Sequence, residues 1–81
     1  MRQAIWVQTV LEVVAQFDES GGASVGLVAW DLCIDERLVL AAWERARVAR
    51  LIAPAGHDLD EQLWRLTPAG WAAHRSERES A

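Results

Sequence analysis

Near Ala49 the spacing of apolar residues changes period, and that change limits the folds open to the chain. Up to that point apolar residues recur every three or four positions, as one side of a helix requires. Beyond it, Arg50-Leu51-Ile52-Ala53 is short and apolar. Gln62-Leu63-Trp64-Arg65-Leu66 alternates, with Trp64 and Leu66 on one face and Leu63 and Arg65 on the other. The Pro, Gly and Asp of Pro54 to Asp60 mark a loop joining two strands. Thr67-Pro68 reads as an N-cap followed by proline at the first helical position, opening a helix through Trp71. The polar tail 74–81 is expected to fray.

Three helices precede the change. In the first, Trp6, Val7, Val10, Leu11, Val13, Val14 and Phe17 share one arc, opposite Gln8, Thr9, Glu12 and Gln16. Ile5 falls on the polar side. Asp18-Glu19-Ser20-Gly21-Gly22 ends it, with glycines for a left-handed exit. Ser24 caps a second helix to about Leu32, weakened by Gly26. Cys33-Ile34-Asp35 is a break whose Asp35 caps a third helix, Glu36 to Ala49, with Val39, Ala42, Trp43 and Ala46 facing inward. The order α-α-α-β-β-α is mainly α with a small two-stranded antiparallel hairpin, an α+β arrangement. Its 81 residues suit one domain over 1–81.

So small a chain needs a dense core, and its five Trp supply much of the burial. Trp30, Trp43 and Trp64 are expected to pack together, while Trp6 and Trp71 complete the core or a dimer seam. Cys33, beside Leu32 and Ile34, is expected as a small core residue. A lone cysteine forms no intrachain disulfide, which fits a reducing compartment. No apolar run reaches a membrane span, and Gln3, Gln8 and Glu12 interrupt the N-terminal apolar stretch, so the expected location is the cytoplasm.

Twelve acids against eight Arg, with no Lys, give a net charge of −4. Binding nucleic acid by bulk charge is thereby excluded; a local arginine cluster is required. His57 and His74 have no nucleophile or carboxylate at catalytic spacing, and there is no phosphate-binding glycine loop. No enzyme and no cofactor are expected. His57-Asp58-Leu59-Asp60-Glu61 lacks the ligand spacing of a calcium loop and reads as a solvated turn, not a metal site.

Val39, Trp43, Ala46, Leu51 and Ile52, followed by LWRLTPAGW at Leu63 to Trp71, resemble the winged helix-turn-helix superfamily, nearest to MarR-like and PadR-like bacterial regulators. The resemblance covers about Ser24 to Ala73, and LTPAG is its most specific part. The absence of Lys, Asn and Tyr beside abundant Ala fits a GC-rich genome. Two departures stand out: Arg50 where the family usually has Gly, and a wing poor in basic residues.

The resemblance implies a small DNA-binding transcriptional regulator whose third helix lies in the major groove of double-stranded DNA. The candidate contacts are Arg37, Leu40, Ala41, Glu44, Arg45 and Arg47 on that helix, and Arg65 in the wing. Val48 shares the outward face. The third helix with Arg50 carries four Arg against Asp35, Glu36 and Glu44, a net of +1. The wing carries Asp58, Asp60 and Glu61 against Arg65, a net of −2. The alternative is an acidic winged-helix module that binds another protein, favoured by the acidic wing and by outward Leu40, Ala41 and Val48. Paired half-sites imply a homodimer. Helix one supports it through an apolar arc of roughly 160°, wider than one core needs. Ile5, Trp6 and Trp71 are the candidate seam. Arg50 is expected in an ordinary right-handed or extended conformation. A strained Arg50 that reaches a phosphate, or an acid among Asp58, Asp60 and Glu61, is the other option.

Overall fold

The computed structural model describes residues 5–80, with side chains except those of Asp58 and residues 77–80. The helices are α1 (Val7–Gln16), α2 (Val25–Leu32), α3 (Glu36–Val48) and α4 (Pro68–Ser80), and the strands are β1 (Ile52–Asp58) and β2 (Glu61–Leu66). A short 3-10 turn, Asp18–Ser20, follows α1. The order is the expected α-α-α-β-β-α. Gln3 and Ala81, used in the sequence reading, lie outside the described residues.

Helix starts follow their caps. Ser24 Oγ accepts from the Leu27 amide at 3.1 Å, and Asp35 Oδ1 accepts from the Arg37 amide at 2.8 Å. The apolar stripes of α1 (Val10, Leu11, Val13, Val14) and α3 (Val39, Ala42, Trp43, Ala46) are buried, and Ile52 and Leu66 close the core from the hairpin. Trp43 meets Trp64 edge to face, centroids 6.0 Å apart.

Trp30 does not join them. It is 74% exposed, because α2 buries Val28 and Ala29 and turns Trp30 outward. At the N-terminus the expected sides are reversed. Trp6 is 77% exposed, and Ile5 packs against the core. The helix begins only at Val7, and Trp6 is an extended N-cap (φ −89°, ψ 151°), so helical spacing does not govern either residue. Cys33 is exposed too, standing in a left-handed conformation (φ 58°) at the exit of α2.

The expected loop Pro54 to Asp60 is mostly strand, and the turn shrinks to Leu59 and Asp60. Pro54 is tolerated because β1 is an edge strand and a bulge at Ala55 follows at once. Gln62 Nε2 donates to the Gly56 carbonyl at 2.8 Å beside that bulge. On the other edge of β2, Ala23 and Trp64 exchange backbone hydrogen bonds of 2.9 and 2.8 Å. Gly22 (φ 113°) makes this possible, since a Cβ there would overlap the Trp64 carbonyl.

The expected frayed tail is helical through Ser80, with His74 buried at 7% exposure. His74 lies one turn beyond Trp71, and the two rings meet edge to face at 5.9 Å, so the inward face outlasts the apolar sequence. Gln8 of α1 donates to the Ala73 carbonyl of α4 at 3.3 Å.

Candidate nucleic-acid interface

Burying Val39, Ala42, Trp43 and Ala46 leaves the opposite side of α3 to solvent. Arg37, Leu40, Ala41, Glu44, Arg45, Arg47 and Val48 are all exposed there. Their guanidinium groups are not equivalent. Arg37 reaches back to Asp35, Nε to Oδ1 at 3.3 Å and Nη2 to Oδ2 at 3.2 Å. Arg47 is held by Glu44, with Nε donating to Oε2 at 3.0 Å and Nη2 donating to the same oxygen. Arg45, between them, has no ion pair among the described residues.

Hydrogen bonding to Arg37 holds the Asp35 carboxyl below its usual pKa, and Arg47 does the same for Glu44. Both pairs stand in water, where solvent screening leaves such contacts little net strength. A phosphate can therefore replace either carboxylate at little cost.

Arg65 behaves differently. Its Nε and Nη2 each donate at 2.9 Å to the two oxygens of Asp18, 47 residues away, in a bidentate pair. The contact holds the Asp18 carboxyl below its ordinary pKa. The wing's arginine thus braces the hairpin against the turn after α1. No sequence pattern marks a pair so distant along the chain; only the sheet brings Asp18 opposite Arg65. Near the hairpin turn, the carboxylates of Glu61 and Glu36 both approach Gly26, which makes the turn end of the wing acidic.

Arg50 overturns the expected ordinary conformation. Its φ is 62°, and α3 ends with Leu51 N–H bonded to the Ala46 carbonyl (2.9 Å) and Arg50 N–H to the Arg47 carbonyl (3.0 Å). This is a Schellman exit, whose left-handed position normally favours glycine. The cause lies across the fold. Thr67 Oγ1 donates to the Arg50 carbonyl at 2.7 Å, and the Thr67 amide donates to the Leu51 carbonyl at 3.0 Å. Thr67 Oγ1 also accepts from the Gly70 amide at 3.0 Å, capping α4 as expected. Arg50 itself has no ion pair among the described residues, so Asp60 and Glu61 do not hold it; the Asp58 side chain lies outside them.

LTPAG now has a physical account. Leu66 is buried, Thr67 ties the exits of α3 and β2 together, Pro68 starts the helix, and Gly70 lets the Leu51 carbonyl approach where any Cβ would collide. Of the candidate seam residues, Trp6 is exposed, while Ile5 and Trp71 are partly buried against the core.

No protein-family model and no curated protein matches the chain. Solved structures do. Lactococcus lactis ZitR, in a cysteine-to-serine mutant form, aligns with a TM-score of 0.71 at 17% identity, over 98% of this chain and 55% of that one. Bordetella bronchiseptica BpsR, in a structure addressing regulation of its DNA binding by 6-hydroxynicotinic acid, aligns with a TM-score of 0.64 at 28% identity. That match covers 86% of this chain and 50% of BpsR. The chain therefore spans about half the length of either structure. Both are MarR-family winged-helix transcriptional regulators, as the resemblance read from the sequence implied. The chain has the winged helix-turn-helix fold that those regulators carry.

Proposed function

We propose that the chain is a DNA-binding transcriptional regulator, with the outer face of α3 as its reading surface in the major groove. The observation that carries this reading is the state of the α3 arginines. Arg45 is unpaired among the described residues, and Arg37 and Arg47 sit in solvent-exposed pairs that phosphate can displace. The likeness to two regulators supports it. On this reading residues 1–81 form one winged-helix unit acting in the bacterial cytoplasm, without catalysis or cofactor. No helix among the described residues is long and apolar enough to cross a membrane.

The active form is a homodimer presenting two α3 helices to half-sites about one helical turn apart. Exposed Trp6, with Ile5 just ahead of α1 and Trp71 on α4, which packs against α1, is the proposed seam. The rival reading, a protein-binding winged helix, draws on exposed Leu40 and Val48 and on the acidic wing.

Salt separates the two. Arginine–phosphate contacts release counterions, so duplex affinity must fall steeply as salt rises, whereas an apolar interface is nearly indifferent. A fluorescence-anisotropy titration against mixed duplex DNA at two salt concentrations should show steep loss. No binding at low salt would favour the protein-binding reading.

A further inference from the structure

The outer face of α3 is more than a row of charges. Ala41, Arg45, Val48 and Ala49, with Glu44 at the margin, line one shallow and almost wholly apolar strip along the helix. Val48 is 66% exposed, a large apolar group that the protein's own core does not use. Glu44, the acid in the strip, is engaged by Arg47, so the free charge left there belongs to Arg45. One guanidinium with no ion pair among the described residues thus stands between two apolar groups.

Resting on the reading of α3 as a DNA reader, we propose that this strip recognises guanine flanked by thymine, through Arg45 and through the thymine 5-methyl groups. The chemistry of the major groove fits each part. Guanine offers O6 and N7 to a guanidinium fork, and thymine is the base that presents a methyl group there, which small apolar side chains contact. The dimensions fit as well. Ala41 and Val48 are seven residues apart, about 10 Å along the helix, close to three base steps of about 3.4 Å. Arg45 lies between them. The strip therefore spans a guanine and a thymine one or two steps away on either side. A protein partner for the same strip would need an apolar surface with an acid at its centre.

The test starts from a random-sequence duplex pool selected on the wild-type protein at low salt. The best-bound duplex is then remade with deoxyuridine in place of thymine, one position at a time, which removes only the methyl group. Loss of one contacted methyl should weaken binding roughly threefold to fivefold. The drop is expected at one or two thymines beside the selected guanine. Val48→Ser, checked for unchanged circular dichroism, should abolish the drop at one of those positions and leave the preference for guanine intact. Arg45→Ala should lose that preference. Selection of a motif whose affinity is indifferent to deoxyuridine throughout, or binding with no motif at all, would overturn the proposal while leaving DNA binding in place. Failure to retain any duplex would overturn both.

Discussion

Helix α3 and the wing each carry arginine in the sequence, and the structure gives those arginines opposite surroundings. On α3, Arg45 is unpaired among the described residues, and the pairs of Arg37 and Arg47 are local and exposed. On β2, Arg65 is clamped by Asp18, whose side chain is only 22% exposed, and the acids Asp60 and Glu61 stand nearby in the chain. An arginine's availability is set by what the fold places opposite it, which counting charges does not reveal. A winged helix that reads with its helix and keeps its wing for internal bracing is consistent with a net charge of −4.

These two regions meet at one joint, where Arg50 and Leu51 leave α3 and Thr67 enters α4. The largest expected effect comes from breaking it. Gly70→Ala forces a Cβ against the Leu51 carbonyl. Overpacking of this kind costs about 2–3 kcal/mol, which lowers Tm by about 10–20 °C in a domain of this size. Thermal melts followed by circular dichroism would show it, and an unchanged Tm would mean the joint is looser than described. Arg50→Gly works in the opposite direction. Removing the Cβ from a left-handed residue should raise stability by about 1 kcal/mol, visible as a shift of the urea midpoint without change in slope. A loss of stability would show that Arg50 contributes something beyond its backbone.

The smallest effect belongs to the wing brace. Asp18 has a folded pKa below its ordinary 3.8, so its contribution is present above about pH 4 and disappears as pH falls through the folded value. Asp18→Asn should therefore be less stable than wild type at pH 7, by about 0.5 kcal/mol after solvent screening. The two proteins should converge as pH falls through the folded pKa of Asp18. An equal gap at both pH values would place the effect elsewhere than in the ion pair.

Where local chemistry decides structure, the sequence was readable. The α3 stripe and the caps at Ser24, Asp35 and Thr67 each depend on residues within one or two turns, and all are found as expected. The turn after α1 exits at Gly21 with Gly22 N–H bonded to the Phe17 carbonyl (2.9 Å) and Gly21 N–H to that of Asp18 (3.1 Å). The exits at Cys33 and Arg50 repeat that bonding with no glycine to announce it. At Arg50 the conformation goes with a tertiary tie to Thr67, and the clamp on Arg65 is likewise a long-range contact. Trp30 is misplaced for a related reason: hydrophobicity argues for burial, but the orientation of α2 puts it outside, whereas exposed Trp6 leaves only the seam of its two expected places. Within the candidate site, the outward face of α3 was legible residue by residue, and the distinction between held and unpaired arginines was not.

The central claim is that α3, and not the wing, meets DNA. Affinity for one duplex at low salt, measured side by side for wild type, Arg45→Ala and Arg65→Ala, tests it most directly. Loss of Arg45 should weaken binding about tenfold or more, as expected for a side chain worth about 1–3 kcal/mol at a base or phosphate, while Arg65→Ala should stay within about twofold of wild type. Equal losses for the two variants, or a larger loss at Arg65, would contradict the account.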